Sequence, residues 1–418
     1  MSPDASPDPY DDPVRFGQRV QIYRNRRGMT REQLAGLLGH HESWVKKVES
    51  GKLKVPRLPE LFRIAEALRV RHLNDLVGEI GGEPEIGLFT GPGHARLPAV
   101  RAAIDAFPFT ADREAPSTAY LRAALDAAWA ARHQSPNHRE VLGDLLPGLI
   151  RDAQLAVRQA DTGAERRTAQ ALLSEVYSLT QFFVAYQPDA ALLWRVAERG
   201  MVAAQESEDL HAIGIAAWLS AQAHRDSGPG HFDAADAVTT EALRLLEPGL
   251  EEAPLKVRAI VGALTFEAGY TAARRMESGT AWGWWDRADR IAQRLPADYF
   301  HPVTSFGRAV MGAHGVTVAV ELRNGSESSR QADRAEAGAI RSRPRRARHR
   351  IEQARAYYLD GQYVTALATL EQAHEAAPET VRYNGYARRI VLEEAEARSP
   401  ERRQRASRLA LDIGMLAA

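Results

Sequence analysis

Residues 29–52 read MTREQLAGLLGHHESWVKKVESGK, and the fold of the N-terminal part of the chain turns on them. Thr30 can cap a helix whose third residue is Gln33, the reciprocal pattern of a capping box. Leu34, Ala35 and Leu38 fall on one face of that helix, with Ala35 small where a neighbour must cross closely. Gly39 supplies the left-handed residue that ends it. A second helix starts near His41, with Val45 and Val48 pointing inward and Glu42, Ser43, Lys46 and Lys47 outward. Two short helices joined by a four-residue turn follow from local chemistry alone.

The flanking sequence completes a small all-α module. Phe16, Val20 and Tyr23 recur at helical spacing before this stretch, and Leu61, Ile64, Ala65 and Leu68 after it. Between Val14 and Leu76 fourteen basic residues face six acidic ones, about +8 in a 418-residue chain whose formal net charge is zero. Such a segment is the footprint of a polyanion binder. The remaining chain must carry the compensating negative charge, four units of it on Asp4, Asp8, Asp11 and Asp12. Residues 1–13 interleave those aspartates with four prolines and read as a disordered tail. The expected domain order is therefore this tail, a basic module over 14–78, a Gly/Pro-rich linker or crossing segment over 79–116, and a long helical domain over 117–418.

That last domain is rich in Ala, Leu, Arg and Glu, with breaks that separate helices of 12 to 20 residues. Such spacing suits stacked helical hairpins. Ala354, Tyr357, Gly361, Tyr363, Ala366, Leu370, Ala373 and Pro378 sit at the spacings of a tetratricopeptide repeat. The alanines allow close approach, Gly361 permits the turn, and Pro378 stops the second helix. Weaker copies run through Ala223, Gly230, Phe232, Ala235 and Ala242, and through Gly269, Gly279, Ala281 and Ala288. The basic run Arg341, Arg343, Arg345, Arg346, Arg348 and Arg350 reads as a solvated segment between helices. Fold class is all-α throughout.

The helix pair, with Val48 to Lys52 at its end, resembles the phage-repressor-like (XRE-type) helix-turn-helix regulators. Leu58 to Leu68 and Leu73 to Val77 resemble that family's fourth and fifth helices. With the repeats, the chain looks like the actinobacterial type that joins this module to a tetratricopeptide-like sensor domain. The resemblance implies that Glu42, Ser43, Lys46 and Lys47 meet base edges in the major groove of double-stranded DNA. Lys donates to guanine and Glu accepts from cytosine, so a G·C-containing half-site follows. It also implies phosphate contacts for Arg31, Lys52, Lys54 and Arg57, and a structural pair of Arg24 with Glu49. Family members bind two half-sites, so the expectation is a homodimer on a palindromic operator, paired through the repeat domain. His41 and Trp44 depart from the residues usual at their places.

Enzyme chemistry is not expected. The chain has no cysteine, no phosphate-cradling Gly-x-x-x-x-Gly-Lys-Ser/Thr and no His-Glu-x-x-His, so neither a metal nor a cofactor is expected. No apolar run is long enough to span a membrane, and no signal peptide opens the chain, which points to the cytoplasm and, when DNA-bound, the nucleoid. The effector of the repeat domain is a peptide, a small molecule or a protein. Six of the seven tryptophans lie in that domain. Trp282, Trp284 and Trp285 cannot all face one core stripe, so Trp218, Gln222, Trp284 and Trp285 are the candidates to face a ligand. A different class of function stays open: an adaptor that grips a protein through its repeats and uses the helix-turn-helix for docking, or not at all.

Overall fold

The computed structural model describes residues 13–53, 58–68, 70, 74–77, 93–108 and 113–415. Residues 1–12, Lys54, Arg57 and most of the Gly/Pro-rich segment lie outside them. Helices and no strand occur among the described residues. The chain divides into two compact units, Met1–Gly87 and Leu88–Ala418.

In the first unit α1 spans Pro13–Arg26, α2 Arg31–Leu38, α3 Glu42–Glu49, α4 Leu58–Leu68 and α5 Asn74–Val77. One core holds them, in which Phe16, Val20, Leu34, Leu38, Val45, Val48, Leu61 and Ile64 are all buried. Gly17 sets how closely α1 and α3 approach. A Cβ there would sit 2.2 Å from the Val48 carbonyl oxygen and 2.8 Å from that of Glu49, both fixed backbone atoms.

The second unit contains α6 (Leu97–Asp105), α7 (Thr118–Gln134), α8 (His138–Gln159), α9 (Gly163–Val184), α10 (Ala190–Ser207) and α11 (Leu210–Asp226). It continues with α12 (Phe232–Leu246), α13 (Leu255–Arg274), α14 (Ser278–Gln293), α15 (Arg308–Glu321) and α16 (Gly325–Arg334). Last come α17 (Arg343–Leu359), α18 (Tyr363–Ala376), α19 (Pro378–Arg382), α20 (Gly385–Ala395) and α21 (Pro400–Asp412). Nearly every helix packs on its neighbours in sequence, so the unit is a stack of helical hairpins.

Three sequence expectations meet particular outcomes here. The segment over 79–116 was expected to link or cross, yet α6 lies inside it. Leu97, Val100, Ala103 and Ile104 form a 3–4-spaced stripe that is buried in the main core, and α6 packs on α8. The turn at Gly361 has φ +77°, and Ala354, Ala366, Leu370 and Ala373 are fully buried between α17 and α18. Pro378 stands at the first position of α19, where its missing N–H costs nothing, rather than merely ending α18. The arginine run is the clear correction. From Arg343 onward it is the first half of α17, not a solvated connector.

The stack also meets itself. Helix α17 packs on α7, and the Glu379 carboxylate accepts the backbone N–H of Arg139 at 2.5 Å and lies 3.3 Å from His94 Nε2. His133 Nδ1 lies 2.9 Å from the Ser342 hydroxyl. Residues more than 200 positions apart thus close the hairpins around a partly open cavity.

Candidate nucleic-acid interface

Helix α2 begins as its sequence dictates. The Gln33 N–H donates to Thr30 Oγ1 at 3.1 Å and the Thr30 N–H to Gln33 Oε1 at 2.9 Å, so both halves of the capping box are made. Gly39 closes the helix at φ +70°. His41 takes the cap of α3, its Nδ1 accepting the Ser43 N–H at 3.3 Å, so an imidazole does the work usually given to a hydroxyl. Its ring also lies 3.1 Å from the Ser43 hydroxyl. Trp44 is anchored sideways: its ring stacks on His40 at 3.9 Å between centroids, and His40 Nε2 lies 3.0 Å from Glu60 on α4. It is an edge filler that ties α3 to α4.

With Val45 and Val48 buried, the opposite face of α3 carries Glu42, Ser43, Lys46 and Lys47, all exposed. Lys52 is exposed just beyond Gly51, which turns at φ +68°. Beneath this face Glu49 is buried and clamped from two sides. Arg24 Nε donates to its Oε1 at 2.5 Å and Nη2 to Oε2 at 3.2 Å, while Arg31 Nε donates to Oε2 at 2.6 Å. Arg24 also donates to the Met29 carbonyl at 2.7 Å, which ties the end of α1 to the turn before α2. One carboxylate therefore fixes α1, α2 and α3 together. Arg31 was assigned to phosphate by resemblance; it braces α3 as well, with about a third of its side chain exposed. Sequence reading gave the Arg24–Glu49 pair and missed the second arginine, whose place at the first turn of α2 was the available signal. It also missed Gly17.

A helix-turn-helix domain family matches residues 15–75. Residues 15–75 are a DNA-binding helix-turn-helix domain. The match runs from within α1 to within α5, and α3 is its second motif helix, the one that docks in the major groove in this class. The outward residues of α3 lie on the exposed face of that helix, opposite the buried Glu49 held by Arg24 and Arg31. No curated protein matches the chain.

The effector candidates separate. Trp218 and Gln222, both on α11, line the cavity of the second unit, a partly open space of about 440 Å³. Trp284 and Trp285 do not line it. Trp285 donates its indole N–H to the Met311 carbonyl at 3.1 Å, and Trp284 sits over Gly269 with Arg287 against its ring. Both pack half-buried on the core, because Gly269 leaves room on α13 for a tryptophan of α14. None of the described helices is long and apolar enough to cross a membrane.

Proposed function

We propose that this protein is a transcriptional regulator that binds operator DNA as a homodimer, with its affinity modulated by a molecule held in the second unit. The observation that supports it best is the exposed face of α3: two adjacent lysines, a glutamate and a serine beyond a buried carboxylate held by two arginines, in a segment of about +8. Lysines so placed donate to guanine edges and neutralise phosphate, while Lys52 lies where the backbone passes. A single module of this size offers too small a contact for operator affinity, which favours two copies on two half-sites. The hairpins of the second unit, with the Gly361 turn and the buried alanines around it, fit a degenerate tetratricopeptide-like stack, an architecture that binds ligands and partners. No enzymatic step is part of this reading, and the place of action is the cytoplasm.

The test is selection from a random duplex pool, then titration of the enriched site in mobility-shift assays. Wild type should enrich a motif and bind it with a steep salt dependence. Lys46→Ala with Lys47→Ala should lose at least 100-fold in affinity, a charge and contact loss of about 3 kcal/mol, without loss of helicity. A chain that enriches no motif, or that keeps full affinity after both substitutions, is not this regulator and acts instead through protein contacts.

A further inference from the structure

The cavity of the second unit is lined by side chains from α7, α8, α9, α11, α13, α15 and α17, so only the closed tertiary fold creates it. Six arginines line it against three carboxylates: Asp226, Glu267 and Glu352. Those carboxylates are already taken. Glu267 pairs with Arg225, and Glu352 with Arg348 and Arg355. Arg274 reaches Glu321 instead, at 3.4 Å.

Three arginines are left over; Arg139 donates to the Phe183 carbonyl, which leaves Arg132 and Arg345. Neither has a carboxylate within ion-pair distance among the described residues, although Arg132 is only 8% exposed. Arg132 lies against the Phe182 ring at 4.0 Å, and each guanidinium has a long 3.4 Å contact to an imidazole nitrogen, His133 for Arg132 and His314 for Arg345. A ring face offsets part of a cation's desolvation but accepts no N–H. Accordingly, the buried Nε donors of Arg132, Arg139 and Arg345, and the Gln222 amide, have no acceptor among the described residues. Burial, reinforced by Arg139 and Arg345, pulls Arg132 down to about 9, and burial with Arg348 alongside pulls Arg345 to about 10. A buried unpaired charge is among the most destabilising features a fold can keep. Arg132, buried, and Arg345, half-buried, face one cavity and together make a place for acceptor oxygens.

We propose that this cavity binds a small organic anion, with its oxyanion on Arg132 and Arg345 and an aromatic body against Phe182, Trp218 and Phe266. The identity rests on the reading of the second unit as the effector-binding part and narrows it from three classes to one. A volume of about 440 Å³ suits one drug-sized molecule and excludes a folded partner or a length of peptide. The oxyanion is a carboxylate, sulfonate or phosphate; bidentate arginine accepts each of them.

Two fluorescent probes separate the charge from the ring: 8-anilinonaphthalene-1-sulfonate, and N-phenyl-1-naphthylamine, the same skeleton without the sulfonate. Titrated into the full-length protein without DNA, the sulfonate should bind saturably at one site per chain and at least tenfold tighter than the amine. Arg132→Met and Arg345→Met should each weaken the sulfonate at least tenfold, leave the amine within twofold, and raise or leave unchanged the melting temperature of the unliganded protein. Equal affinity of wild type for both probes overturns the proposal without needing any variant. So does sulfonate binding unchanged in both variants, or a lowered unliganded melting temperature with unchanged binding, which makes the arginines structural. Because DNA is absent, failure here leaves the operator-binding assay untouched, and failure there leaves this one untouched.

Discussion

The two units treat buried charge in opposite ways. In the first, the buried carboxylate of Glu49 is shared between two arginines within hydrogen-bond distance, and the lysines Lys46, Lys47 and Lys52 stand outside in water. In the second, uncompensated arginines are inside, around a cavity, together with a set of buried imidazoles. A polyanion of indefinite length can be met only on a surface, where solvated lysines cost little and released counterions drive binding. A small anion can be enclosed, and enclosure strengthens each hydrogen bond to it at the expense of the empty fold. The placement of unpaired charge thus marks which kind of anion each unit is suited to meet.

The largest effect that would sharpen the contrast is acid lability confined to the second unit. Burial, with Arg132 beside it, lowers His133 to about 3. Burial lowers His211 to about 4, helped by Lys256, and His349 to about 4, helped by Arg345. His138, His301 and His314 are held well below the usual imidazole value, first by burial and then by neighbouring cations and imidazoles. A histidine whose folded pKa is depressed is stabilising while neutral. Its contribution is complete above about pH 6.5 and is lost as pH falls from there towards about 4. Glu352 does not offset this: burial raises it, but Arg348 and Arg355 win and hold it below the usual carboxylate range. Six of the seven tryptophans report on this unit. The melting temperature read by tryptophan fluorescence should fall by roughly 10 °C or more between pH 7.5 and pH 5. A flat profile over that range would remove half of the comparison.

The difference between the units also decides what could be read from sequence. Thr30, Gln33, Gly39 and His41 act on atoms two to five residues away, so the motif, its inward valines and its outward readers were legible. Gly17 was not, because its constraint is the backbone of α3, some thirty residues on. In the second unit the Gly361 turn was legible for the same local reason. The arginine run of α17 was not: six arginines in ten residues resemble a solvated surface unless one knows that Arg345 and Arg348 line a cavity shared with α7 and α13. Trp284 and Trp285 also depend on distant residues. Their crowding suggested a groove, and Gly269 with the Met311 carbonyl absorbs them.

Next in size is a break in the first unit's closed ion cluster. Glu49→Ala strands Arg24 in the core and frees Arg31, an uncompensated buried charge that should cost about 3–5 kcal/mol. Hydrogen exchange of the amides in α2 and α3 in the full-length protein should accelerate, while exchange in α9 and α13 stays as in wild type. Replacing both members, Arg24→Met with Glu49→Leu, should recover most of the protection, since the pair is needed only because each member is present. A Glu49→Ala protein with unchanged exchange would mean that the cluster is not what holds α3, and that the first unit's charges are no better used than those of the second.

The smallest effect is a control on the comparison itself, since both units contain the same local device. Thr30 and Gln33 form a capping box at α2, and Thr162 and Glu165 form one at α9, with the Thr162 N–H donating at 3.1 Å and the Glu165 N–H at 3.2 Å. Both lie exposed at a helix start. Local chemistry should therefore be indifferent to the unit, and Thr30→Ala and Thr162→Ala should each cost about 1 kcal/mol of helix-terminal stability. Their consequences differ by what each first turn carries. Arg31 is the first residue of α2 and one arm of the Glu49 clamp, so fraying there loosens α3. Thr30→Ala should weaken operator binding by up to about fivefold, roughly the same 1 kcal/mol expressed as affinity. Thr162→Ala should leave operator binding within twofold of wild type. Equal loss of DNA affinity in both variants would show that the second unit's local stability feeds the reading face, and the two units would then have to be treated as one energetic body.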